Sequence, residues 1–159
     1  MAGRFDYPQA REISGVLRRN GVKFLFIGKS GAIILGYPDT TQDADLFVKK
    51  DPANGRALVE SLVALGFPLD AKVRDEIVRG KDFVQLREGP FDLDLVFAPD
   101  GIETFEKAES RSLLIEEMPV CHPDDIIRSK EAAGRQKDLE GLPRLKAFRD
   151  WWKTRHGSG

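Results

Sequence analysis

Apolar positions along the chain fall into two rhythms, one helical and one alternating or continuous. In PQAREISGVLRRN, Ile13, Val16 and Leu17 recur on one helical face and Gly21 follows as a stop, which predicts a first helix. VKFLFIG is mostly apolar and predicts a strand from Val22 to Ile27. KSGAIILGY reads as a short helix or turn-helix, and DADLFVKK as a second strand. PANGRALVESLVALGF predicts a helix from Pro52, with Leu58, Leu62 and Leu65 on one face. DFVQLREGPFDLDLVF reads as a hairpin turning at Arg87-Glu88-Gly89-Pro90. GIETFEKAESR then predicts a short helix and SLLIEEMPVCH an extended stretch. HPDDIIRSKEAAG predicts a helix with Pro123 in its first turn. KDLEGLPRLKAFRDWWKTRH predicts a last helical stretch, weakened around Gly141 and Pro143. This order implies an α+β fold with a small mixed sheet flanked by helices. No repeat or low-complexity linker divides the 159 residues, so one domain over 1–159 is expected, with a helical C-terminal segment from about residue 122.

Composition narrows the function classes. A formal net charge of -1 gives no global attraction to nucleic acid or membrane. The single cysteine, Cys121, excludes an intrachain disulfide framework and a multi-cysteine zinc site. MAGRFDYPQAREISG has no apolar core of a signal peptide, and no apolar run approaches the ~20 residues of a membrane span. A cytoplasmic location with no membrane partner is expected. The terminal HGSG reads as a frayed tail.

The candidate chemistry lies in two Asp-x-Asp pairs. Side chains two apart on a strand share a face, so Asp43 and Asp45 point together, and Asp92 and Asp94 repeat the arrangement. If those strands pair, three or four carboxylates converge. At 4 Å two unit charges repel by roughly 4 kcal/mol at an effective dielectric of 20. A hard divalent cation relieves such repulsion, and magnesium is typically held by one or two carboxylates plus substrate phosphates. Two metals could clamp the attacking and leaving oxygens of a phosphoryl displacement. The alternative is a solvated outer face.

Upstream, FLFIGKSGAI runs from a strand through Gly28 into a helix start, where backbone N–H groups can hold a phosphate. It lacks the upstream glycine of a P-loop, and Lys29 and Ser30 could equally form an ordinary exposed turn. Downstream, Lys130, Arg135 and Lys137 gather on or beside one predicted helical segment. Lys130 and Lys137 would share a face if that helix continued through Gly134. They could balance phosphates or form a solvated helix face. Asp138 could orient Lys137 or cap the next helix. His122 reads as a turn residue. Trp151 and Trp152 could stack on a base, though an anchor for the last helix fits them better.

The order of glycine turn, Asp-x-Asp and later aspartate resembles the DNA polymerase β-like nucleotidyltransferase superfamily. The matching residues are Ile27-Gly28-Lys29-Ser30, Asp43-Ala44-Asp45 and Asp94. More closely, IGKSGAIILGYPDTTQDADL, DLVFAPDGIETFEKA and DDIIRSKEAAGRQKDLEGLPRL resemble segments of AbiEii/AbiGii-type toxin nucleotidyltransferases and their small relatives. The resemblance spans roughly residues 22 to 146 and favours Asp94 over Asp92 as third carboxylate.

It implies a minimal nucleotidyltransferase fold and magnesium-dependent transfer of a nucleoside monophosphate from an NTP, such as ATP, to an acceptor hydroxyl. It further implies two magnesium ions with NTP bound. Asp43, Asp45 and Asp94 would be the catalytic and metal residues, and Gly28, Lys29, Ser30, Lys130 and Lys137 the nucleotide contacts. The acceptor could be tRNA, a protein or a small molecule, and a toxin–antitoxin role with a cognate antitoxin is suggested by the resemblance alone. Two departures stand out: Lys29 where the family usually has glycine or serine, and Asp39 where relatives often carry a basic residue. These leave open a non-catalytic nucleotide- or partner-binding module that kept the fold.

Overall fold

The computed structural model describes residues 5–156. Its element order is α1 (Tyr7–Arg19), β1 (Phe24–Ile27), α2 (Gly28–Ile34), β2 (Asp43–Val48), α3 (Pro52–Ala64), α4 (Ala71–Arg79), β3 (Phe83–Leu86), β4 (Asp92–Val96), α5 (Phe105–Arg111), β5 (Leu113–Ile115), β6 (Met118–Val120), α6 (Pro123–Ala133) and α7 (Gln136–His156). The strands form one sheet in the order β3-β4-β2-β1-β6-β5. β1–β2, β3–β4 and β5–β6 are antiparallel, whereas β2–β4 and β1–β6 are parallel. The fold is therefore α+β with a mixed sheet, as the pattern implied. Among the described residues, no helix is long and apolar enough to cross a membrane.

The local reasons are mostly end signals. α1 opens with a reciprocal box: the Gln9 amide donates to the Asp6 carboxylate, and the Asp6 amide to the Gln9 side chain. α3 starts at Pro52 behind an Asp51 cap. Ile13, Leu17, Leu58 and Leu62 are fully buried, each worth about 1.5–3 kcal/mol of removed apolar surface. They line the core with Leu25, Leu46, Leu93 and Leu95 of the central strands.

Four expectations are corrected. Residues 71–79, left unassigned by the apolar pattern, form α4, whose Asp70 side chain accepts from the Val73 amide and whose Gly80 closes it in the left-handed region. SLLIEEMPVCH is a hairpin rather than one extended stretch, because Glu116 and Glu117 both turn with positive φ, 47° and 70°. The helix at Lys130 does not continue through Gly134, which sits at φ 64° and ends α6, so Lys130 and Lys137 lie on different helices. The last helix is unbroken at Gly141 and Pro143: α7 runs the full 21 residues. The expected frayed tail falls at residues 157–159, outside the described residues, while His156 still belongs to α7.

Candidate active site

Parallel pairing of β2 with β4 sets the site. Asp43 lies opposite Asp92, and Asp45 opposite Asp94. Ile27 of β1 pairs with Asp45 and Gln85 of β3 with Asp94, so one row crosses four strands through both aspartates. Along β2 the carboxylates alternate with Ala44 and Leu46, which are completely buried. On the carboxylate side the strand ends in Phe47, whose ring packs edge-on against Phe105 of α5 at 5.1 Å. That face is closed by an aromatic pair at one end and carries acid at the other.

One carboxylate oxygen from each of Asp43, Asp45 and Asp94 falls within 4.8 Å of the others. Asp92 shares the face but lies outside this group. Three anions at such range repel unless something positive joins them. Burial, reinforced by Asp94 and Asp43, pushes the Asp45 carboxyl well above its ordinary range. Burial also raises Asp94, although Arg87 beside it works in the other direction. Asp94 is 7% exposed, and its Oδ1 is buried without a hydrogen-bond partner. Arg87 Nη2 stands 2.8 Å from that oxygen as an ionic neighbour and 3.8 Å from Asp43 Oδ2. An all-oxygen, acid-rich donor set with an orphaned buried oxygen fits a hard divalent cation. The triad is placed to bind a metal.

The glycine turn presses on this triad. Gly28 has φ 66°, and a Cβ there would lie 2.5 Å from Asp45 Oδ2 and 3.3 Å from Asp45 Cβ. Glycine serves both the left-handed backbone and the close approach. Ser30 is fully buried. Its hydroxyl donates to the Ile27 carbonyl at 3.0 Å and accepts from the Asp45 amide at 2.9 Å. It thus ties the start of α2 to the strand carrying Asp45. The amino group of Lys29 meets Asp39 at 3.1 Å, and Arg144 of α7 approaches the same carboxylate at 3.6 Å. The two residues that depart from the resembled pattern therefore face each other.

Two clefts meet at Lys130, and the first of them contains Asp45 and Asp94. One, of about 410 Å³, is lined by Gly28, Asp45, Asp94, Phe83, Lys130 and Arg135 among others. The second, of about 340 Å³, brings together Lys29, Asp39, Lys130, Lys137 and Arg144. Lys130 borders both. Its amino group lies 3.6 Å from Asp138 Oδ1, while Arg135 Nε donates to Asp138 Oδ2 at 2.7 Å. Asp138 is buried; burial works to raise its carboxyl, but Arg135 and Lys130 together hold it below the ordinary range. It pairs with Lys130 and Arg135 across the Gly134 break. His122 caps α6, its Nδ1 accepting from the Asp124 amide. Trp152 is buried and Trp151 half exposed.

Sequence reasoning missed Arg87, read there only as part of a turn. Strand alternation held the signal, because positions 83, 85 and 87 share one face and Gln85 pairs with Asp94.

No protein-family model matches the chain, and no curated protein matches it significantly. Among solved structures, one similar in shape is a "putative nucleotidyltransferase" from Thermotoga maritima. It is 13% identical, the match covers 91% of this chain and 90% of that one, and the TM-score is 0.48.

Proposed function

We propose that the chain is a magnesium-dependent nucleotidyltransferase that moves a nucleoside monophosphate from an NTP to an acceptor hydroxyl. The observation that carries this reading is the convergence of Asp43, Asp45 and Asp94 within 4.8 Å, directly against a glycine turn. The resemblance of the Gly28, Asp43-x-Asp45 and Asp94 pattern to polymerase β-like enzymes, AbiEii-type toxins among them, supports the class of reaction.

In this reading Asp43 and Asp45 bind the ion that travels with the triphosphate, and all three aspartates bind a second. Divalent ions there supply charge neutralisation on the attacking and leaving oxygens. Asp94, raised by burial, is suited to accept the proton of the acceptor hydroxyl. The acceptor oxygen bonds to the α-phosphorus, the bond to the β-phosphate oxygen breaks, and pyrophosphate leaves. Gly28 keeps the backbone low enough for a phosphate to approach, and Ser30 holds that turn in register with Asp45. Lys130 and Lys137, on the walls of the second cleft, balance the triphosphate tail; Lys29 reaches the same cleft through its pair with Asp39. The acceptor is tRNA, a protein or a small molecule, and a toxin–antitoxin setting follows from the resemblance alone.

A second reading, a non-catalytic nucleotide- or partner-binding module, is favoured by one observation: Lys29 is already neutralised by Asp39. Incubation with each labelled triphosphate, magnesium and total cell RNA or protein separates the two. Label transferred by the wild type and lost in Asp94→Asn supports the enzyme. Absence of magnesium-dependent binding of all four triphosphates sinks it in favour of a partner-binding module.

A further inference from the structure

We infer that Arg87 is a built-in counter-ion of the carboxylate triad, holding the place of one divalent cation and giving it up when metal enters. The inference rests on the metal reading of the site but concerns a residue which that reading does not use.

The geometry is specific. Arg87 directly follows the last residue of β3, beside the strand that carries Asp94, and its guanidinium reaches 2.8 Å from Asp94 Oδ1 and 3.8 Å from Asp43 Oδ2. It thus spans the Asp43–Asp94 edge of the triad. The buried oxygen it faces receives no aligned hydrogen bond. Arg111, by comparison, engages both carboxylate oxygens of Glu103, at 2.7 and 3.2 Å. Arg87 therefore offsets the charge of Asp94 through one close contact at a single oxygen rather than a two-bond fork.

Its own position allows release. The side chain is 39% exposed at the mouth of a hairpin turn, and its Nη1 is held only by a 3.4 Å contact to the Leu86 carbonyl. On its outer side lies a cleft of about 290 Å³ whose wall carries Asp70 and Glu88, a second acidic environment for the displaced guanidinium. A dication on the Asp43–Asp94 edge would be repelled by the Arg87 guanidinium already there, so metal binding competes with Arg87.

The consequence is that removing the arginine charge tightens metal binding. Most substitutions beside a metal site weaken it or do nothing, so the sign is diagnostic. The probe is Mn²⁺ alone, titrated by calorimetry and by loss of the free-ion electron paramagnetic resonance signal, with no nucleotide present. Arg87→Met is expected to bind Mn²⁺ at least tenfold more tightly than wild type, and its unfolding temperature in chelator to be lower than wild type. Arg87→Lys, which keeps the charge, is expected to stay within about threefold of wild type. Should Arg87→Met fail to fold by circular dichroism, Arg87→Gln carries the same expectation. In an Asp94→Asn background the gain from Arg87→Met is expected to vanish.

Equal or weaker Mn²⁺ binding by the charge-removed variant overturns the inference while leaving the metal site standing. If neither wild type nor variant binds Mn²⁺, the inference and the metal reading both fall.

Discussion

The molecule treats its enclosed carboxylates in two opposite ways. Asp125 of α6 is completely buried and meets two arginines: Arg111 Nε at 2.8 Å and Arg128, which also bonds it closely. Asp138 likewise has Arg135 and Lys130. On the sheet, by contrast, Asp43 and Asp94 share one half-exposed arginine, Arg87, and Asp45 beside them has no ion pair among the described residues. Where a buried charge only joins helices, the fold supplies two cations per anion. Across β2 and β4 it leaves negative charge in excess. Such an excess costs stability, and a site that waits for cations accounts for it.

The contrast is broken most strongly through activity. Asp43→Asn, Asp45→Asn and Asp94→Asn are each expected to lower transfer by ~10³-fold or more, the rate equivalent of the several kcal/mol a bound metal contributes. Assay of labelled product with purified variants checks this. Activity surviving in Asp94→Asn and lost in Asp92→Asn would show that the wrong member of that pair had been chosen.

Stability probes the other side. Asp125→Ala removes a fully buried carboxylate that joins α5 to α6, while Arg111 keeps Glu103 and Arg128 stays half exposed, so the loss expected is that of its charge-assisted hydrogen bonds, about 1.5–3 kcal/mol. Denaturant unfolding of Asp125→Ala against Asp45→Ala measures the difference directly. A similar loss in both would erase the distinction between a structural and a functional carboxylate.

Lys137→Ala sharpens the contrast at the cleft. A desolvated contact from lysine to phosphate is worth about 1.5–3 kcal/mol, or roughly 10- to 150-fold in affinity. A solvated surface lysine changes stability by less than about 0.5 kcal/mol. Calorimetry with a non-hydrolysable triphosphate and magnesium, comparing wild type with Lys137→Ala and Lys130→Ala, distinguishes these. No weakening in either variant would remove both lysines from the site.

A smaller effect separates two glycines. Gly21 and Gly28 have nearly the same φ, 72° and 66°, but a Cβ at Gly21 meets nothing within 4 Å. Gly21→Ala is expected to cost ~1–2 kcal/mol from backbone conformation alone. Gly28→Ala should cost more, because Asp45 must also move. Equal losses would mean that the close approach to Asp45 has no consequence.

Much of this was legible in the sequence, and the gaps have physical causes. Period-two alternation gave the faces of Asp43, Asp45, Asp92 and Asp94, and local turn chemistry gave the β3–β4 hairpin. The β2–β4 pairing that joins Asp45 to Asp94 is a long-range choice that no local pattern encodes. α4 escaped because AKVRDEIVR buries only Ile77 fully, leaving its existence to the Asp70 and Gly80 ends. The β5–β6 turn escaped because glutamates occupy positions where positive φ usually calls for Gly or Asn. The shared face of Lys130 and Lys137 was conditional on helix through Gly134, whose left-handed backbone instead separates them. Arg87 was hidden by its place in a turn, although its parity pointed at Asp94.

The charge excess has its own pH signature. The folded Asp45 carboxyl sits above the roughly 3.9 expected when unfolded. The stability contributed by its proton is therefore full below that unfolded value and lost as pH rises through the raised folded one. Wild type should lose stability relative to Asp45→Asn across that window in chelator.

The most direct test is a single comparison of thermal unfolding, wild type against Asp45→Asn at neutral pH, in chelator and then in excess magnesium. The charge-excess account predicts that the variant is at least as stable as wild type in chelator, and that magnesium raises wild type above it. A variant several kcal/mol less stable in chelator, with magnesium moving neither protein, would contradict the account and make the triad a structural feature.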